Sequence, residues 1–239
     1  MEQKNRMYRY YKIAGLNIKM DTFGRTEDYA IPYLLDGKCS SVDMTIKADF
    51  KALKAEKPFA PDDICEYLVS GREFYSKLLD FEGMMLHAAA IALDQKAYLF
   101  SGDCEVGKST HALLWRCAFG DERVKILNDD KPAIRLENGT WYAYGTPWSG
   151  KNGLNINLKY PLAGICYLKQ GNKNQIEICN KPDLVDRFLK NTYRPTVLDK
   201  KIKLLTTIEK IIKTVPIWEM EATKEIEAAK IAYRAMSGR

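Results

Sequence analysis

Between Phe100 and Trp115 the chain reads FSGDCEVGKSTHALLW, in which Gly102 is followed by four residues and then by Gly107-Lys108-Ser109. That spacing suits phosphate binding. A glycine-rich turn between a strand and a helix presents backbone N–H groups to phosphate oxygens, and the helix N-terminus adds positive potential. The backbone of Asp103, Cys104, Glu105, Val106, Gly107 and Lys108 would wrap the phosphates. Lys108 would reach the β- and γ-phosphates, and the Ser109 hydroxyl would bind Mg²⁺. Thr110 suits an α-phosphate contact or a helix cap. The expected ligand is a nucleotide, with ATP and Mg²⁺ as cofactors.

A second set of residues decides whether such a loop transfers phosphate or only holds it. Asn128-Asp129-Asp130 ends a short apolar run, and paired carboxylates beside a Mg-nucleotide can divide the work of holding the metal and accepting a hydroxyl proton. Between Glu137 and Glu177 there is no acidic residue, while Lys151, Lys159, Lys169 and Lys173 fall in that window. This predicts a local positive field. Within it, Gly145-Thr146-Pro147-Trp148-Ser149-Gly150-Lys151 reads as a loop that folds over the phosphate site, with Lys151 reaching the γ-phosphate. A rigid turn, with Trp148 in the core and Lys151 in solvent, is the competing reading. His111 and Arg194 are weaker candidates, the first for a local hydrogen bond and the second as a surface arginine.

The elements that must position these residues follow from periodicity and turn chemistry. Strands are expected over Tyr10–Met20, Tyr29–Leu35 and Val42–Lys47, then a connection over Lys51–Pro61 and a helix over Asp62–Leu79. Strands at Leu86–Leu93 and Ala97–Phe100 lead into the loop, and a helix over Ser109–Phe119 leaves it, stopped by Gly120. Ala133–Leu136 and Trp141–Tyr144 flank Asn138-Gly139, a favoured two-residue hairpin turn. Leu162–Leu168 and Gln175–Cys179 read as a second hairpin. Helices over Asp183–Lys190 and Leu198–Val215 follow, the latter with Leu198, Ile202, Leu205, Ile208 and Ile212 as one stripe. A strand at Pro216–Met220 and a helix over Glu225–Met236, capped by Thr223, close the chain.

Length and composition bound the rest. At 239 residues the chain buries a core without cross-links. Six cysteines stand singly, and only two histidines are present to complete a metal site, so a structural zinc is not expected. No signal core and no apolar run of about 18 residues is seen, which reads as a cytoplasmic protein with no membrane partner. A net charge of +6 does not call for a nucleic-acid partner. The basic-aromatic run Arg6–Lys12 reads as an edge strand rather than a stacking platform.

Taken with Leu86-His87-Ala88 and Gly145–Lys151, the loop and the Asp-Asp strand end resemble the HPr kinase/phosphorylase family and its PEP-carboxykinase-like relatives, over roughly Met84 to Met236. The resemblance implies an α/β P-loop fold of that type with mixed, partly antiparallel sheets. Residues 84–239 would form this core and 1–83 a small N-terminal α+β lobe. It also implies Asp129 as proton acceptor, Asp130 as a metal or water ligand beside Ser109, and His87 as a partner near the transferred phosphate. Two departures stand out. Cys104-Glu105 replaces the family's Ser-Gly, and the metal-binding Glu expected after the Asp-Asp hairpin is missing, so either Asp129 and Asp130 hold the metal alone or Lys151 takes over charge neutralisation there. The expected activity is ATP-dependent transfer of the γ-phosphoryl group to a hydroxyl on a peptide, protein or small molecule. The alternative is a non-catalytic nucleotide sensor or partner-binding module. A homo-oligomer is compatible with either.

Overall fold

The computed structural model describes residues 8–37 and 39–238. Arg6 and Met7, the start of the basic-aromatic run, lie outside them. The first strands are β1 (Arg9–Ile13) and β2 (Leu16–Met20), joined through Ala14-Gly15, both at positive φ. They pair antiparallel, and β3 (Met44–Ile46) adds parallel to β2. β1 is thus an edge strand, with Arg9 and Lys12 exposed and Tyr11 and Ile13 buried. The strand expected over Tyr29–Leu35 is instead the end of helix α1 (Gly24–Ala30) and a 3-10 turn, Ile31–Tyr33. Pro32 opens that turn and has no N–H for a sheet ladder. The connection after β3 contains a short helix, α2 (Lys51–Glu56), before the long α3 (Asp62–Leu78).

The larger sheet is mixed. β4 (Gly83–Met85), β8 (Ala133–Glu137), β9 (Thr140–Tyr144) and the first residues of β10 (Lys159–Gln170) run antiparallel in that order. The rest of β10 lies parallel to β6 (Lys96–Ser101) on one side and to β12 (Ile217–Ala222) on the other. β5 (Ala88–Leu93) and β7 (Lys125–Asn128) continue antiparallel beyond β6. The hairpins at Asp94-Gln95 and Asn138-Gly139 have both turn residues at positive φ, the geometry that matches strand twist. The hairpin expected between Leu162–Leu168 and Gln175–Cys179 does not form. β12 inserts between β10 and β11 (Gln175–Ile178), so β11 pairs with a strand roughly forty residues later in the chain.

Helices cover both faces of this sheet. Ala89, Ile91, Tyr98 and Phe100 point to the side of α4 (Lys108–Phe119) and α7 (Ile226–Ser237), while Ala88, Ala90 and Leu99 point to the side of α5 (Leu184–Lys190) and α6 (Leu198–Thr214). A strand buried on both faces needs a continuous apolar run rather than alternation, and AAAIAL in β5 is that run. The expected α6 stripe holds only in its C-terminal half, where Ile208 is buried and Ile212 packs on the core. Leu204, Ile208 and Ile211 are buried, whereas Leu198, Ile202 and Leu205 are exposed. A third cluster joins Ile13, Ile18 and Phe74 to Met85, Tyr144 and Trp148, so apolar packing is continuous from the first strands to the larger sheet.

Candidate active site

The glycine loop leaves β6 at Ser101 and enters α4 at Lys108. Gly102 has φ +141, and a Cβ there would come 2.9 Å from the Leu168 carbonyl, so only glycine lets the loop pass this close to β10. Gly107 caps α4 at φ +102. Glu105 also adopts a left-handed φ, +64. This is the position where the resembled family has glycine, and the chain keeps the bend while carrying a side chain that disfavours it. Gln170 Nε2 donates to the Glu105 carbonyl at 2.9 Å and ties the loop to β10.

Lys108 is buried at 7 % exposure and folds back over the loop, donating to the carbonyls of Gly102 at 3.0 Å and Asp103 at 2.9 Å. Burial pushes its ammonium below the ordinary lysine value, while the nearby Cys104, Asp130 and Asp103 act in the opposite direction. The Asp130 charge therefore reaches the loop lysine. Ser109 and Thr110 sit exposed in the first turn of α4, and Cys104 is exposed beside them. His111 is a satisfied core residue. Trp115 Nε1 donates to its Nε2 at 3.2 Å, the ring packs on Phe100, and burial pushes its pKa down to about 4.

Asp129 and Asp130 follow β7 in environments that separate their chemistry. Asp129 is buried and accepts the Gly150 N–H at 2.6 Å. Desolvation raises its pKa against that hydrogen bond. Asp130 takes His87 Nε2 at 3.0 Å on one oxygen and Lys131 Nζ on the other. Burial would raise its pKa, but the hydrogen bond from His87 and the charge and hydrogen bond of Lys131 outweigh it and hold it at about 2. One carboxylate is thus tuned toward accepting a proton and its neighbour toward staying charged.

Asn128 sets the turn. Its Oδ1 accepts the N–H groups of Asp130 at 2.8 Å and Lys131 at 2.6 Å, while its Nδ2 donates to Thr146 O and Trp148 O. A fully buried side-chain amide thereby locks the carboxylate turn to the 146–150 segment. Helix α3 supports the other side of that segment. Trp148 stacks on Phe74 at 4.6 Å and donates to Ser70 Oγ at 3.0 Å, Tyr67 donates to Ser149 O, and Tyr75 donates to Lys131 O. Gly71 leaves room for the indole, since a Cβ there would lie 2.8 Å from Trp148 Cδ1.

The structure brings His87, Asp130 and Lys131 into contact and sets Asp129 on Gly150. Lys131 and Asn128 carry parts of the arrangement that the sequence reading did not assign. Their signal was adjacency to Asp129-Asp130, and the short, mostly apolar run Val124–Leu127 before Asn128 marked it as a strand end. Lys151 lies one residue beyond Gly150, exposed and without an ion pair among the described residues. Arg194 is exposed. The positive field expected between Glu137 and Glu177 is partly neutralised from outside the window, because Lys159 pairs with Glu137 and Lys169 with Glu219.

No family model matches the chain, and no curated protein matches it in sequence. Among solved structures, the Hpr(Ser) kinase/phosphatase from Coxiella burnetii is similar over 54% of this chain and 92% of its own length, at 14% identity and a TM-score of 0.27. No helix among the described residues is long and apolar enough to cross a membrane.

Proposed function

We propose that the chain is an ATP- and Mg²⁺-dependent phosphotransferase of the P-loop, HPr-kinase-like type that moves the γ-phosphoryl group to a hydroxyl on a peptide, protein or small molecule. The observation that carries this reading is the buried Lys108, held on the carbonyls of its own loop within the field of Asp130. A nucleotide-holding element and an acid–base pair then lie at the same end of the sheet, where β6 and β7 finish. The residues suit the ligands. Gly102, Gly107 and the left-handed Glu105 give the loop the positive-φ bends that wrapping a phosphate would require, and the Lys108 ammonium would supply charge to the β- and γ-phosphates. Mg²⁺ keeps several waters and needs only one or two protein oxygens beside the phosphates. Ser109 and the charged Asp130 are the groups for it. When bound, the ion would neutralise charge on the transferring phosphoryl group.

The protein's own part in the transfer is acid–base and electrostatic. Asp129, with its pKa raised and one oxygen held by Gly150, accepts the acceptor's hydroxyl proton as the oxygen attacks. His87 and Lys131 keep Asp130 ionised and oriented, and Lys108 stabilises charge on the phosphate side. Lys151, next to Gly150, is the candidate second cation on that side. One observation favours the binding-only reading: Asp130 is already engaged by His87 and Lys131.

Calorimetric titration with ATP and Mg²⁺, followed by analysis of γ-phosphoryl transfer, separates the two. Lys108→Ala is expected to weaken nucleotide affinity by about a hundredfold or more while thermal unfolding stays cooperative, because a desolvated cation leaves the phosphates. Unchanged affinity would remove the loop's assigned role. Tight binding with no turnover against any hydroxyl acceptor supports the sensor.

A further inference from the structure

The N-terminal residues bring toward this site a cation that has no ion-pair partner among the described residues. Arg25, on α1, is part-buried, with its guanidinium carbon 5.7 Å from the Tyr67 ring centroid and 6.0 Å from that of Tyr29. The two rings meet edge to face at 6.4 Å and form an aromatic corner that restrains the guanidinium by cation–π attraction. Among the described residues Arg25 forms no hydrogen bond or ion pair, although Glu27 on the same helix pairs with Arg9. A part-buried arginine with five N–H donors and no carboxylate is incompletely satisfied. Aromatic contact restrains its planar group and leaves in-plane donors for an oxyanion.

Its location gives that oxyanion a role. The Tyr67 ring that holds Arg25 also takes Lys131 Nζ at 5.5 Å, and Lys131 is the partner of Asp130. The Tyr67 hydroxyl donates to Ser149 O, the residue before the Gly150 N–H that holds Asp129. Burial raises the Tyr67 phenol, and Asp130, Arg25 and Asp129 all act on it, whereas Lys108 responds to Asp130 and to its own loop. Arg25 and Lys131 thus share the Tyr67 ring, and Lys131 links that ring to Asp130. Lys131 has its charge matched by Asp130. Arg25 has no such carboxylate partner among the described residues.

We propose that Arg25 is the anion-recognition residue of the acceptor site and selects a hydroxyl compound that carries a carboxylate or phosphate near the hydroxyl to be phosphorylated. The assignment rests on the phosphotransferase reading, and it adds the charge class of the acceptor. The shared chemistry is an oxyanion presenting two oxygens to a guanidinium fork. A carboxylate and a phosphate are separated by the choice of probe.

The test uses the full chain with Mg²⁺ and a non-hydrolysable ATP analogue, whose binding is measured first. Two matched pairs are then titrated: N-acetylserine against N-acetylserinamide, and glycerol 3-phosphate against glycerol. The side-chain Nε–Hε signal of Arg25 is followed by ¹⁵N NMR and assigned by its loss in Arg25→Lys. The anionic member of one pair is expected to bind about tenfold tighter than its neutral partner and to shift that signal. Arg25→Gln should remove the preference. Arg25→Lys, which keeps the charge and guards against a misfolded glutamine variant, should retain about a third of it or less, since the bidentate fork is gone. Response to the serine pair assigns a carboxylate, and response to the glycerol pair a phosphate. Equal affinity within both pairs, no binding of any probe, or an unchanged preference in folded Arg25→Gln overturns the assignment while leaving nucleotide binding intact. Failure of the wild type to bind the nucleotide analogue overturns the phosphotransferase reading and this assignment with it.

Discussion

At the scale of single residues, the adjacent carboxylates are tuned in opposite directions. Asp130 sits below the ordinary aspartate value, at about 2, so its stabilising contribution is fully present above the unfolded value of 3.8 and is lost as pH falls through about 2. Asp129 sits above its ordinary value because of burial, so its ionised form opposes folding at neutral pH. The two amide substitutions should therefore move stability in opposite senses. Asp130→Asn is expected to lose about 2 kcal/mol at pH 7 in urea unfolding, with the deficit disappearing near pH 2. Asp129→Asn is expected to hold or gain stability, because the amide oxygen still accepts the Gly150 N–H, while turnover falls about 10²–10⁴-fold. Equal stability losses would mean that the two groups are not electrostatically distinct. Glu105 offers a separate check. Glu105→Gly relieves a left-handed φ and removes a negative charge beside the loop. Stability should change by less than about 1 kcal/mol, since strain relief is offset by unfolded-chain entropy. Nucleotide affinity, read by calorimetry, should rise about fivefold, the worth of one exposed charge at short range.

At the scale of elements, α3 acts as a buttress for the carboxylate turn although it holds none of the glycine-loop residues. Tyr67, Ser70, Phe74 and Tyr75 contact the 146–150 segment or Lys131, and Gly71 makes the space for Trp148. Gly71→Ala improves helix propensity by roughly 1 kcal/mol, but its Cβ would overlap the indole at 2.8 Å. Overpacking of this kind costs about 1–3 kcal/mol and displaces its neighbour. The expected outcome is a net loss of stability together with a fall in turnover, because displacing Trp148 moves the Gly150 N–H away from Asp129. A variant that is more stable and fully active would show that the segment does not depend on α3. Periodicity located α3 within one residue of its observed end, whereas its function as a support was invisible. A helix reports which positions are apolar, not which distant loop fills its groove.

At the scale of the whole molecule, β12 joins β11 to the large sheet and carries a carboxylate with three cationic partners. Glu219 receives Lys169 at 2.5 Å, Lys181 at 2.7 Å and Arg187 at 2.6 Å, joining β10, the segment before α5, and α5 itself. Burial would raise its pKa, but the hydrogen bonds from Lys169, Lys181 and Arg187 hold it at about 2. Its contribution is present above the unfolded value of 4.5 and is lost as pH falls toward 2. Glu219→Gln should cost about 2 kcal/mol at pH 7, allowing for the exposed lysines. It should also flatten the fall of the urea midpoint between pH 5 and pH 2. A variant with the wild-type acid profile would place the acid sensitivity elsewhere.

Local chemistry alone determined the glycine loop, the strand before it and the helix after it, the Asn138-Gly139 hairpin and the Asp129-Asp130 strand end. Each is specified by residues within a few positions of one another, through turn conformation, capping and apolar period. Other features depended on contacts between residues far apart in the chain, and only the tertiary structure decided them. The insertion of β12 between β10 and β11 is a choice of strand partner, which alternation does not encode. The inward face of α6 was set by the sheet it meets, so Leu198, Ile202 and Leu205 lost a competition that period alone leaves tied. The approach of Arg25 to Tyr67, and the hold of Asn128 and α3 on the 146–150 segment, are set by packing between residues far apart in the chain. Charge and spacing in one dimension carry no information about which side chains a folded core brings face to face.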